Sequence, residues 1–158
     1  MKIVRYELRY SEERETILVK EREFEFSHND DSHISSPDIA VNVVTSIFDV
    51  AHLTEEYVWV LAVDNVNRPI GIFEVSHGAS NSCCVRNREI FVRLCLCGAS
   101  GFLLFHNHPG GSLKPSTDDK NLTKTVKEAG SLMGIGLLDH IILSDNTNYF
   151  SFKEAGML

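Results

Sequence analysis

The chain has 158 residues, 43% apolar and 23% charged, enough for one domain with its own core, and no stretch approaches the roughly 20 apolar residues that a membrane-spanning helix needs. Its formal charge of -7 disfavours sequence-independent nucleic-acid binding, which draws on many Lys and Arg contacts to phosphate. The opening "MKIVRYELRY" has no apolar export core, so the expected setting is the cytoplasm, away from membranes, with the cysteines reduced.

In chain order, Val4, Tyr6, Leu8 and Tyr10 alternate with charged residues and predict a half-buried strand; "ETILVK" and "FEF" add one or two more. Residues 1–34 then form a short β extension with the polar connector "SHNDDSHISS", and 35–158 form the main domain. Over "SSPDIAVNVVTSIFDVAHL", Ser36 caps a helix, Pro37 fits its first position, and Ile39, Val43, Ile47 and Val50 recur at helical spacing. "EYVWVLAVD" reads as a buried strand, "NVNR" as a turn and "PIGIFEVSHG" as an antiparallel partner. Asn87 to Cys97 is a helix closed by Gly98, and "GFLLFHNH" is the next strand. Ser116 opens a helix whose Leu122, Val126, Ala129 and Met133 share a face. "GLLDHIILSD" and "NYFSF" supply the last strands, giving an α/β or α+β domain around a central sheet.

The four cysteines, Cys83, Cys84, Cys95 and Cys97, lack zinc-ribbon spacing. Cys95 and Cys97 are expected as buried thiols in "FVRLCLCGAS". Arg86, Arg88 and Arg93 cluster in sequence and read first as a solvated helix face, with a local basic patch as the alternative. His140 reads as a hydrogen-bonded core histidine, and His33, His52 and His77 have no partners close in sequence.

Chemistry concentrates in "HNHPGGSLKPSTDD". Residues i and i+2 of a strand point to one side, so His106 and His108 present two imidazoles together, two of the four positions around a tetrahedral Zn2+. The turn "PGG" folds the chain back, and Asp118 or Asp119 at the next helix start can supply a carboxylate. Such a set leaves a fourth position for water, as catalytic sites require. Ser116 and Asp119 taken alone read as a helix cap close to a capping box, but a cap has no use for paired histidines.

His-x-His, seven residues, Ser, two residues, Asp resembles the metal motif of JAMM/MPN (JAB) metallopeptidases. With "VRNREIF", "FHNHPGG", "KPSTDD", "KEAGSLMGIG" and "LLDHIILSD" in this order, residues 35 to 152 resemble the RadC-like branch. The resemblance implies a cytidine-deaminase-like (JAB/MPN) α/β sandwich with a central mixed, curved sheet and flanking helices. It implies Zn2+ on His106, His108 and Asp119, with Asp118 in reserve. It also implies an upstream glutamate as general base, which falls on Glu56 rather than Glu55, and Ser116 as the donor to the oxyanion. The activity implied is zinc-dependent hydrolysis of an amide in a peptide or isopeptide-linked protein substrate. The alternative is a non-catalytic or DNA-repair-associated RadC-type binding protein. Two departures stand out: "HPGG" carries Gly110 where relatives commonly have serine, and only the short β extension precedes the domain where larger relatives carry a helix-hairpin-helix region.

Overall fold

In a computed structural model, which describes residues 1–26, 33–78 and 85–158, the layout follows from strand β3, Tyr57–Val63. Trp59, Leu61 and Val63 face one way, Val58, Val60 and Ala62 the other, and none is more than 2% exposed. A strand apolar on both faces needs cover on both. Most of the polar connector, and Cys83 and Cys84, lie outside the described residues.

One face is covered by α1, Pro37–Ile47, through Ala40, Val41, Val43 and Val44. Ser36 caps it as expected, accepting from the Ile39 N–H at 3.4 Å. The helical spacing predicted through Val50 stops at Ile47. Phe48 turns to extended backbone, and Val50 is reached in a short 3-10 turn, Val50–His52. The Phe48 ring packs 5.1 Å from that of Trp59, with the Arg5 guanidinium 4.8 Å over it, so tertiary packing outweighs the helical pattern here.

The other face is covered by α2, Asn87–Cys97, and α3, Thr117–Met133. In α2, Ile90, Phe91 and Leu94 turn inward. Cys95 is exposed and Cys97 half-buried, contrary to the expected burial, because each residue rotates about 100° from the last and Leu94 already occupies the inner face. In α3 the buried stripe is Thr123, Val126 and Gly130, with Leu122 and Ala129 packed beside it; Met133, expected on that face, is 51% exposed in the final turn.

The sheet is completed by β1 (Lys2–Tyr10), β2 (Thr16–Glu25), β4 (Pro69–His77), β5 (Gly101–Asn107), β6 (Gly136–Leu143) and β7 (Tyr149–Ser151). The seven strands run in the order β2-β1-β4-β3-β5-β6-β7. β1 with β4 and β5 with β6 are parallel pairs and the rest antiparallel, so the sheet is mixed as expected. The alternation read in β1 needs one correction: Ile3, of opposite parity, is the fully buried residue, while Tyr10 is 70% exposed. Among the described residues no helix is long and apolar enough to cross a membrane.

Candidate metal centre

Strand β5 delivers the first two site residues. Phe102, Leu104 and His106 share the face that α2 and α3 cover. The ladder continues one residue past the strand, where the His108 N–H donates to the Leu143 carbonyl at 2.8 Å, so His108 follows His106 on that side. The chain then reverses through Pro109–Gly111. Gly111 closes the turn at φ +78, a conformation that favours glycine, and its N–H reaches the His108 carbonyl at 2.9 Å. Residues 112–116 lead back to the N-terminus of α3, which carries Asp119.

His106 Nε2 lies 3.0 Å from His108 Nε2 and 3.1 Å from Asp119 Oδ1, and His108 Nε2 lies 3.5 Å from Asp119 Oδ2. Nitrogen and oxygen ligands at zinc distances in a tetrahedron stand about 3.3–3.6 Å apart. His106, His108 and Asp119 therefore form a group that could hold a metal ion. The donor set, two imidazoles and one carboxylate, suits Zn2+. Asp118, the reserve carboxylate, is exposed and lies outside this group.

Candidate ligand and cap coincide at Asp119. Its N–H donates to Ser116 Oγ at 3.0 Å, while Oδ2 accepts from the Ser116 N–H and hydroxyl, both at 2.7 Å. The capping box is complete, and Oδ1 is left toward His106. The hydroxyl expected to serve an oxyanion is thus directed at Asp119. Partial burial pushes the Asp119 carboxyl up, but the facing His106 and His108 rings outweigh it and hold the group well below the usual carboxylate range. In turn the Asp119 carboxylate raises His108. His108 Nδ1 faces the Ser112 carbonyl at 2.7 Å; a carbonyl only accepts, so Nδ1 carries the proton.

The candidate base is placed by a residue that sequence reasoning missed. Asn107, 2% exposed, points to the opposite face from the histidines. Its Oδ1 accepts from the Tyr57 N–H at 2.7 Å and its Nδ2 donates to the Glu55 carbonyl at 2.9 Å. Asn107 thereby grips the backbone on both sides of Glu56. Glu55 is exposed, whereas Glu56 lines a cleft of about 780 Å³ together with His106, His108, Ser116 and Asp119. Val58, Val85 and Leu122 give the cleft an apolar wall, and Arg86 and Lys114 stand at it as cations. Asn107 stands between the two histidines of the motif, and strand alternation turns it toward the β3 backbone.

His140 proves to be a hydrogen-bonded core histidine, as read, but its partner is the site. Its Nε2 lies 2.8 Å from His106 Nδ1, and its Nδ1 lies 2.6 Å from Thr123 Oγ1. Full burial pushes it well below the usual histidine range, and the neighbouring His106 adds to this. Two other described histidines pair elsewhere: His52 with Asp49 at 2.7 Å and His77 with Glu74 at 3.2 Å, each an acid three residues back, so both have a partner close in sequence after all. Arg86 and Arg88 are exposed, and Arg93 donates to the Glu89 carbonyl at 2.6 Å.

A family model described as "RadC-like JAB domain" matches residues 34–157. Among similar proteins, a UPF0758 protein of Clostridium acetobutylicum is 41% identical over 125 residues, covering 79% of this chain and 53% of its own. UPF0758 proteins of Alkaliphilus metalliredigens, 38% identical over 125 residues, and Pelobacter propionicus, 42% over 117, are matched over 79% and 71% of this chain and 53% and 51% of theirs. The chain thus spans about half the length of these curated relatives.

Proposed function

The chain belongs to the RadC-like JAB domain family, and on that footing we propose that it is a zinc-dependent hydrolase of amide bonds in peptide or isopeptide-linked protein substrates. The observation that carries this reading is the convergence of His106, His108 and Asp119 beside Glu56 in one cleft. His106, His108 and Asp119 would hold the ion. Zn2+ bound there supplies Lewis acidity, which lowers the pKa of water toward neutrality and polarises a carbonyl. Glu56 takes the proton from the attacking water and passes it to the departing amine. Asn107 keeps that carboxylate at the cleft through the backbone on either side of it. Ser116 orients Asp119, and for the oxyanion role its hydroxyl turns from Asp119 toward the substrate. The apolar wall of Val58, Val85 and Leu122 suits side chains of an extended peptide. The reading places the protein in the cytoplasm.

Arg86 and Lys114 at the cleft favour a second reading, a non-catalytic or DNA-associated binding module. The two are separated by assaying the zinc-loaded protein beside its Glu56→Gln variant. One arm screens peptides and isopeptides, and the other measures DNA binding and nicking at near-physiological salt. The hydrolase reading expects amide cleavage that falls by about 10²–10⁴ in the variant, with zinc retained. Tight DNA binding or Glu56-dependent nicking, without amide cleavage, would replace it with the second reading.

A further inference from the structure

Behind His106 a line of hydrogen bonds runs through the core from β5 to α3, by way of His140 and Thr123. We propose that His140 is a positioning residue: it fixes the proton of His106 on Nδ1 and so keeps the His106 Nε2 electron pair turned toward the metal position. The inference rests on the reading of His106 as a metal ligand.

The direction of the line is decided at its far end. Thr123 Oγ1 lies 2.6 Å from the Asp119 carbonyl oxygen, which only accepts, so the hydroxyl proton points there. With its one proton committed, Thr123 Oγ1 can only accept from His140 Nδ1, 2.6 Å away. A neutral imidazole carries one N–H, so His140 Nε2 is bare. His140 is 0% exposed and stacked on Phe152 at 4.8 Å, an apolar setting that opposes a charged ring. Its bare Nε2 then accepts from His106 Nδ1 at 2.8 Å. In the neutral His106 ring the lone pair then lies on Nε2, 3.0 Å from His108 Nε2 and 3.1 Å from Asp119 Oδ1.

The two histidines are therefore oriented by different means: His108 by the Ser112 carbonyl in the turn, His106 by a side chain on the neighbouring strand. The line also ties β5 to α3, because Thr123 bonds the carbonyl of Asp119, the third member of the group. One network thus sets the tautomer of one ligand and grips the backbone of another. A core histidine needed only for packing would not require this polarity.

The test reads the tautomer directly, by long-range ¹H–¹⁵N NMR on the metal-free full chain, and zinc affinity separately, by chelator competition. In the wild type His106 should carry its proton on Nδ1. In His140→Phe, and more weakly in Thr123→Val, the Nε2–H form should appear. Zinc affinity should fall about 10–100-fold in His140→Phe. His140→Gln, whose amide oxygen can take the place of Nε2 as acceptor, should recover it to within about threefold of wild type. A wild-type His106 with its proton on Nε2 overturns the inference. So does a folded His140→Phe with unchanged tautomer and unchanged zinc affinity. Should His140→Phe not fold, the wild-type tautomer and Thr123→Val decide. If the wild type takes up no zinc, the reading of the centre fails, while the tautomer measurement still judges His140.

Discussion

Asp119→Asn tests whether one side chain serves as both ligand and cap. Asp119 Oδ2 accepts two bonds from Ser116, each 2.7 Å, and Oδ1 faces His106 at 3.1 Å. An asparagine that places its amide oxygen in the Oδ2 position keeps both Ser116 bonds. They weaken from charge-assisted, about 1.5–3 kcal/mol each, to neutral, about 0.5–1.5 kcal/mol. The net loss of stability is about 2–3 kcal/mol for the two bonds, a fall in Tm of roughly 4–12 °C for a chain of this size. The amide NH2 then takes the place of Oδ1 and turns its protons toward His106 Nε2. That removes the one anion among the three donors and fills the metal position with N–H. Zinc affinity should drop at least about 100-fold, equivalent to roughly 2.8 kcal/mol. Chelator competition near neutral pH measures the first effect and thermal unfolding of the metal-free protein the second, with Asp118→Asn as the unchanged control. Zinc affinity within about threefold of wild type would refute the ligand role. A Tm loss beyond about 15 °C would show that the cap dominates.

Two further substitutions probe the frame around the centre. Asn107→Leu removes the partner of the Tyr57 N–H and of the Glu55 carbonyl, at about 1 kcal/mol for each part-buried bond, and should lower amide turnover while zinc uptake persists; denaturant unfolding and zinc titration check this, and unchanged turnover would detach Asn107 from Glu56. Gly130→Ala ought to gain about 1 kcal/mol from helix propensity, yet a Cβ there meets the Ile135 carbonyl oxygen at 2.5 Å. A net loss of about 1–3 kcal/mol is expected by urea denaturation, and a stabilised variant would contradict the close packing.

The elements legible in the sequence were those whose signals are local. Gly98 marks the end of α2, and the Val- and Trp-rich run from Tyr57 to Val63 declares a strand covered on both faces. The candidate metal group was legible for the same reason. His106 and His108 are neighbours by strand alternation, Ser116 and Asp119 by the geometry of a helix start, and a short turn joins the two pairs. Tertiary packing decided the rest. Phe48 ends α1 early because Trp59 lies beneath it, and Cys95 faces solvent because Leu94 takes the inner side of α2. Glu56 is distinguished from Glu55 by the grip of Asn107, 50 residues from Tyr57 in the chain. The link from His106 to His140 spans 34 residues and depends on the parallel register of β5 and β6, which sets Leu104 beside His140. A residue's type states which bonds it can make; which partner it meets across the sheet is settled by register and packing, and no periodicity along the chain encodes that.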